Sequence, residues 1–397
     1  MKVMVVAVSS TGHLSGIPRH AVNIVLGLLT CSEISEINLV AAEWQMPSLL
    51  QSMPTLDPRL RLHPVFIAKS SLKRNFWYYF ELPKLALALE PEIVHLAYPV
   101  PHRNQSFTCP VVVSLHDLYP YDIPANFGFP KVFANRIILR QCLCSVNAIA
   151  CVSESTARRL EEITDRSLVF KTKVVYNSVD LCERTEFSHH CSAIVSTNPF
   201  ILCVAQHRRN KNICFALEIF RELISRSQFP ANMLLVLIGM EGPETRSIQK
   251  LVQLLKLEKR VVFLCDVSDA ELGWFYDKCR FLLAPSLVEG FGMPIVEAII
   301  HGTQVVCSDI AAFREVGASY CNYVPLDDSA EQCFVDTCLD VLDRPPLPVP
   351  LVERFSLAHI AQSYLDLYEC LIAEGKERGW HGAPARSVQE GANDPLY

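Results

Sequence analysis

Short β-branched runs alternate with longer amphipathic segments along most of this chain, in two successive series. In the first, Val3–Val8, Ile37–Ala41, Leu62–Ile67, Ile93–Leu96, Val111–Leu115, Ala148–Val152 and Lys173–Tyr176 read as strands, with helices at Ala21–Leu29, Phe80–Leu89, Asn135–Leu143 and Ser155–Glu162. Strands joined by helices must pair in parallel, and a parallel sheet covered on both faces carries apolar runs of this kind. In the second series the strands are Ile201–Val204, Met233–Ile238, Val261–Leu264, Phe281–Ala284 and Thr303–Cys307. Helices are expected at Cys214–Ser225, Glu244–Leu255, Asp269–Lys278, Pro294–Ile300 and Ser329–Leu342. The expected fold class is therefore α/β, with two Rossmann-like domains facing each other across a cleft at the carboxyl ends of their strands.

The boundaries follow from where this pattern lapses. Residues 1–182 form the first domain, and the polar stretch 183–198 is the linker. The second domain spans 199–355. A final amphipathic helix is expected over 356–374, and the Gly- and Pro-containing tail 375–397 reads as loosely ordered. At 397 residues, half of them hydrophobic, the chain exceeds one ordinary core and has enough apolar side chains for two.

Composition excludes several functions. A formal net charge of -6 gives no basic face for nucleic acid. The 16 cysteines are scattered through apolar runs without a CxxC pair or zinc-ligand spacing, which reads as free thiols in a reducing, cytoplasmic compartment. The amino-terminal MKVMVVAV is a first strand rather than a secretion signal, and no apolar run reaches the roughly 18 residues a membrane-spanning helix needs.

Chemistry concentrates at Pro285–Gly302, PSLVEGFGMPIVEAIIHG, where Glu289 and Glu297 flank a loop holding Gly290, Phe291, Gly292 and Met293. Glycines let a backbone approach a ligand, and a helix start offers N–H groups to a phosphate, while carboxylates grip sugar hydroxyls. Read blandly, the same letters are a glycine turn feeding a capped helix. Elsewhere, Gly16 sits in the turn after the first strand, within a loop that lacks the GxGxxG of a dinucleotide site. His116 ends the Val111–Leu115 strand at the cleft mouth, beside Asp117, where it serves either a substrate hydroxyl or the sheet edge. Arg208, Arg209 and Lys211 make a basic cluster before a helix, suited to a departing diphosphate or simply to solvent.

These stretches together resemble the family-4 retaining glycosyltransferases of the GT-B fold, glycosyltransferase group 1. The resemblance rests on Glu289, seven intervening residues and Glu297 after a Pro-Ser pair, on SGIPRH at Gly16, HDLYP at His116, CVSESTARRL, VVYNSVDL and FSLAHIAQSYLDLY, and on Lys211-Asn212. It implies a hexosyltransferase that moves sugar from a nucleoside-diphosphate sugar to a glycan, lipid-linked or small-molecule hydroxyl, with configuration retained and no metal or other cofactor. No DxD triplet for a metal-bridged diphosphate occurs. The implied roles are His116, Glu289 and Lys211 for catalysis. Donor binding falls to Gly16, Arg208, Lys211, Gly239, Val267, Glu289, Gly290, Phe291, Gly292, Met293 and Glu297. The chain departs from the family at Ala205-Gln206, where Gly-Arg is usual, and at Ser178 and Cys265, where glycine is usual. Those departures keep open an inactive nucleotide-sugar-binding subunit as the alternative; an oxidoreductase or epimerase fits less well without GxGxxG. The run KSSLKRNFWYYF at Lys69–Phe80 mixes cations with aromatics, as either a membrane-surface contact or a helix half buried in its own domain.

Overall fold

The computed structural model describes residues 1–10, 12, 16–53, 57–164, 166–179, 195, 197–348 and 353–377. Two all-parallel sheets form. The first orders its seven strands β3-β2-β1-β4-β5-β6-β7, with β1 at Lys2–Val6, β2 at Glu36–Ala42, β3 at Leu60–Val65, β4 at Ile93–Leu96, β5 at Val111–Leu115, β6 at Ala148–Cys151 and β7 at Thr172–Val174. The second orders six as β10-β9-β8-β11-β12-β13, from β8 at Phe200–Val204 through β9 at Leu234–Ile238, β10 at Val261–Leu264, β11 at Leu282–Ala284 and β12 at Val305–Ser308 to β13 at Cys321–Val324. Each sheet is an open α/β sheet with helices on both faces, the Rossmann-like arrangement expected.

Central strands are buried end to end. Val3 of β1 lies opposite Ile37 on one side and Ile93 on the other, and all three are fully buried. Edge strand β13 is missing from the sequence reading because CNYV is half polar and only Val324 is fully covered. The helices Met46–Ser52 and Ala311–Gly317 are also additions, each too short to show a full amphipathic period. A helix does form within Lys69–Phe80, at Ser71–Phe76. Most of the proposed linker 183–198, and the proposed tail from residue 378, lie outside the described residues. The described cysteines are all free, and Cys109, Cys142, Cys151, Cys203, Cys307 and Cys338 are buried.

The last helix, Leu357–Glu377, leaves the second sheet and packs on the first. Its Tyr364 and Tyr368 are fully buried in the layer that holds Val3, Val5 and the Ile17–Thr30 helix. Gly27 allows that approach, since a methyl group there would sit 3.0 Å from the Ala361 Cβ. A return of this kind ties the two sheets into one body.

Candidate active site between the two sheets

The segments that follow β5 and β6 meet the segments that follow β8 and β11. Gly290, after β11, lies directly against the backbone after β5: a Cβ added there would fall 1.7 Å from the His116 carbonyl oxygen. Only a residue without a side chain fits. The Gly290 carbonyl in turn accepts hydrogen bonds from Thr156 Oγ1, at 3.0 Å, and from Ser153 Oγ. Ser153 also accepts from the Thr156 N–H as the N-cap of the Glu154–Ile163 helix. The N–H groups of Glu154 and Ser155 at that helix start bind the Glu315 carboxylate of the second domain, at 2.7 and 2.9 Å. Carboxylates are favoured at such a position.

Glu289 is nearly enclosed, its side chain 7% exposed. Lys211 Nζ donates to both of its oxygens, at 2.6 and 2.8 Å, and Ser286 Oγ donates to Oε1 at 2.8 Å. From the first domain Tyr119 donates to Oε2 at 3.3 Å. Local backbone explains why Lys211-Asn212 occur together. A 3-10 turn over Arg209–Lys211 ends at Asn212, whose φ of 54° is left-handed, a conformation asparagine tolerates, and the Ile213–Ser225 helix begins there. Gly292 is glycine for the conformational reason, with φ 107°, and it opens the Met293–Ile300 helix, whose start carries a proline and no side-chain cap. Phe291 is buried against Tyr176 and Phe355, leaving its main chain to the loop. Met293 is half-buried.

His116 donates from Nε2 to the Ala97 carbonyl, 2.9 Å away, so Nδ1 is its acceptor nitrogen. Burial pushes its pKa below the usual histidine value, which keeps the ring neutral. Behind it stands His20, edge-on with ring centroids 4.5 Å apart, and beyond that Ser114 Oγ lies 2.8 Å from Nε2 of both His20 and His95. Tyr364 and Tyr368 of the last helix complete this buried network. Next in sequence, the Asp117 carboxyl is raised to about 6 by burial, against the pull of the Tyr119 N–H and of Arg208.

Arg208 lies near the cleft: Nε donates to Gln206 Oε1 at 2.8 Å, and its charge opposes the rise that burial imposes on the pKa of both Asp117 and Tyr119. Arg209 is exposed. Glu297 is not joined to Glu289. Its Oε2 accepts from Tyr276 OH at 2.7 Å, and burial raises its pKa while Arg19 lowers it. Arg19 itself pairs with Asp269 across the domains. Gly16 starts the Ile17–Thr30 helix with φ 52° and open space where a side chain would point. At the end of β9, Gly239 touches the loop after β8, where a Cβ would sit 2.0 Å from the Ala205 carbonyl oxygen. Val267 is half-buried, and the left-handed residue in its turn is Asp266, not Cys265. A cavity of about 380 Å³ opens beside Glu289, lined among others by Asp117, Tyr119, Asp122, Arg159 and Ala311.

The structure thus joins His116, Lys211, Glu289, Gly290 and Arg208 in one cleft, while Arg19, in the helix that Gly16 opens, acts on Glu297 through its charge. Sequence reasoning passed over Tyr119, Asn210, Ser286, Thr156 and Glu315. Tyr119 stood inside HDLYP and Asn210 inside the basic loop, but nothing in the letters shows that they bond each other across the cleft, at 3.1 Å. Among the described residues no group of three His, Cys, Asp or Glu side chains could hold a metal ion, and no helix is long and apolar enough to cross a membrane.

Two sheets of this topology, clamped around a glycine loop with a buried Lys–Glu pair, define a GT-B protein. The model of the family described as glycosyl transferases group 1 matches residues 185–354, and that of glycosyltransferase family 4 matches residues 15–183. The chain belongs to the group 1 glycosyltransferases. It is 28% identical over 232 residues to the O-antigen chain mannosyltransferase RfbU of Salmonella typhimurium, covering 57% of this chain and 58% of that one. To the O-antigen chain mannosyltransferase B of Escherichia coli it is 25% identical over 321 residues, 76% of this chain and 81% of the other. Among solved structures, Anabaena Alr3699/HepE in complex with UDP and glucose superposes with a TM-score of 0.67 at 16% identity, over 94% of this chain and all of that one.

Proposed function

We propose that the protein is a retaining glycosyltransferase that moves a hexose from a nucleoside-diphosphate sugar to a hydroxyl of a glycan, lipid-linked or small-molecule acceptor. The observation that carries the reading is the ion pair of nearly enclosed Glu289 with half-buried Lys211, beside Gly290, which lies against the His116 backbone. Glu289 holds the donor sugar, Glu297 the ribose hydroxyls, and Lys211 and Arg208 the diphosphate. The uncapped start of the Met293–Ile300 helix and the turn at Gly16 add N–H groups for phosphate oxygens. As the anomeric carbon's bond to the diphosphate breaks, the acceptor oxygen bonds to it from the same face, and the acceptor proton passes to a leaving phosphate oxygen. Neutral His116 orients a hydroxyl through Nδ1. The protein contributes positioning and fixed charge more than a nucleophile. Mannosyltransferases among the relatives favour a hexose donor.

The departure at Ala205-Gln206 does not empty the cleft of arginine, because Gln206 binds Arg208 and Arg208 acts on Asp117 and Tyr119. That favours an active enzyme over an inactive binding subunit. The test is a screen of nucleotide sugars for thermal stabilisation followed by transfer assays. Ligand at 100 times its Kd stabilises the native state by about 2.7 kcal/mol. Transfer that survives both Glu289→Gln and Lys211→Ala at the wild-type rate overturns the assignment; binding without turnover favours the inactive subunit.

The acceptor side also carries a surface suited to a membrane. Leu72, Phe76 and Phe80 point outward at helical spacing, 82%, 59% and 47% exposed, while Trp77 and Tyr78 between them are buried in the domain. Lys69, Lys73 and Lys84 are exposed nearby. Apolar side chains ringed by cations fit a peripheral contact with anionic lipid. Binding to anionic vesicles that is equal in wild type and a Leu72→Ser/Phe76→Ser variant removes the idea.

A further inference from the structure

Glu289 receives four hydrogen bonds, and three of them come from its own domain: two from Lys211 and one from Ser286. The fourth comes from Tyr119, on the short Tyr119–Asp122 helix that follows His116. Among the described residues Tyr119 is the one first-domain side chain that bonds this carboxylate. The two oxygens are held differently. Oε1 is gripped at 2.6 and 2.8 Å from within the second domain, whereas Oε2 has Lys211 at 2.8 Å and the Tyr119 hydroxyl at 3.3 Å. The bond to Oε2 from Tyr119 is thus the one that needs the first domain in place.

Tyr119 is itself aimed by a second residue. Asn210 Nδ2 donates to the tyrosine oxygen at 3.1 Å and to the Val288 carbonyl at 3.3 Å, and the Asn210 carbonyl accepts from the Leu287 N–H at 2.8 Å. With its lone pair taken by Asn210, the phenol has its proton free for Glu289. On the first-domain side Asn126 reaches Asn210 Oδ1 at 3.3 Å. Asn210 is fully buried, so these contacts are not shared casually with water.

We propose that Tyr119 is a positioning residue that orients Glu289 for the donor sugar only when the two domains are closed, with Asn210 holding the hydroxyl in place. The proposal rests on the reading of Glu289 as the residue that binds the sugar. It predicts a division between sugar and nucleotide. Tyr119 acts on the carboxylate and not on the diphosphate, so its loss weakens binding of the whole donor while leaving the bare nucleotide alone.

The experiment compares wild type, Tyr119→Phe, Glu289→Gln and the double variant in calorimetric binding of UDP-glucose against UDP and of GDP-mannose against GDP. Phenylalanine keeps the ring and removes only the hydroxyl. For the donor that binds wild type, Tyr119→Phe is expected to raise Kd about five- to tenfold, the order of one hydrogen bond of ordinary net strength, as suits its 3.3 Å length. The matching nucleotide changes less than about twofold. Glu289→Gln loses sugar-nucleotide affinity on its own, and Tyr119→Phe adds nothing further in that background, since it acts through Glu289. Equal weakening of nucleotide and sugar nucleotide shows mere domain packing and overturns the proposal. So does an unchanged Kd in Tyr119→Phe, or a loss that multiplies in the double variant. Sugar-nucleotide binding that Glu289→Gln leaves intact overturns instead the reading of Glu289 on which the proposal stands.

Discussion

Gly290→Ala removes no functional group, yet it should separate the two halves of the site. The added methyl would lie 1.7 Å from the His116 carbonyl oxygen and 2.8 Å from its carbon. Ordinary van der Waals contact begins near 3.4 Å, so the loop and the strand end must part by more than 1.5 Å, and neither atom belongs to a flexible side chain. Parting also costs the bonds from Ser153 and Thr156 to the Gly290 carbonyl, about 0.5–1.5 kcal/mol each. The cleft then favours an open state by about 1–3 kcal/mol. A misplacement of about 1 Å between reacting groups can cost a hundredfold in rate. Initial rates with the donor found by thermal stabilisation should fall about a hundredfold. Each domain keeps its own core, so melting should drop only about 2–4 °C per kcal/mol lost. Gly128→Ala serves as the control: its φ of 68° makes alanine strained by about 1–2 kcal/mol, but nothing lies within 4 Å of the new methyl, and transfer should be unchanged. Gly290→Ala with a rate within twofold of wild type would refute the reasoning, because it would mean that the closed contact is not the working arrangement.

Tyr276→Phe strips Glu297 of its 2.7 Å donor and should weaken the nucleoside diphosphate itself about fivefold in calorimetry, the opposite selectivity to Tyr119→Phe. Asp117 gives a pH dependence. Its carboxyl holds a proton up to about 6 in the folded protein against about 3.9 unfolded, so its contribution to stability is largest below pH 4 and is lost as pH rises through 6. Asp117→Asn keeps the acceptor for the Tyr119 N–H and never ionises. Its stability relative to wild type should therefore rise by about 2–3 kcal/mol between pH 4 and pH 7 in urea unfolding, and a flat difference would contradict the burial argument. Glu315→Ala removes the carboxylate from the Glu154–Ile163 helix start, an interaction of about 1–2 kcal/mol. Donor KM should rise several-fold with little change in melting, and an unaltered KM would show that this tie does not govern closure.

Most of the fold was legible because parallel strands buried on both faces announce themselves as unbroken apolar runs. Val111–Leu115 and Ala148–Cys151 could hardly be anything else. Edge strand β13 escaped because half of it faces water and its residues are polar. The spacing of Glu289 and Glu297, the glycines between them and the Lys211-Asn212 turn are local facts, fixed by main-chain conformation within a few residues, and so the sequence by itself determined the Pro285–Gly302 loop. What it could not determine is anything that spans the cleft. Gly290 read as a glycine that lets the backbone approach a ligand, but it is small because the His116 backbone sits against it, while among the described residues the positive φ of that loop belongs to Gly292. Tyr119, Asn210 and Glu315 carry no signature in one dimension, since their partners lie 91, 78 or 160 positions away. Only the tertiary structure decides that two carboxyl-terminal sheet edges meet, and with them which side chains turn a glycine loop into a closed site.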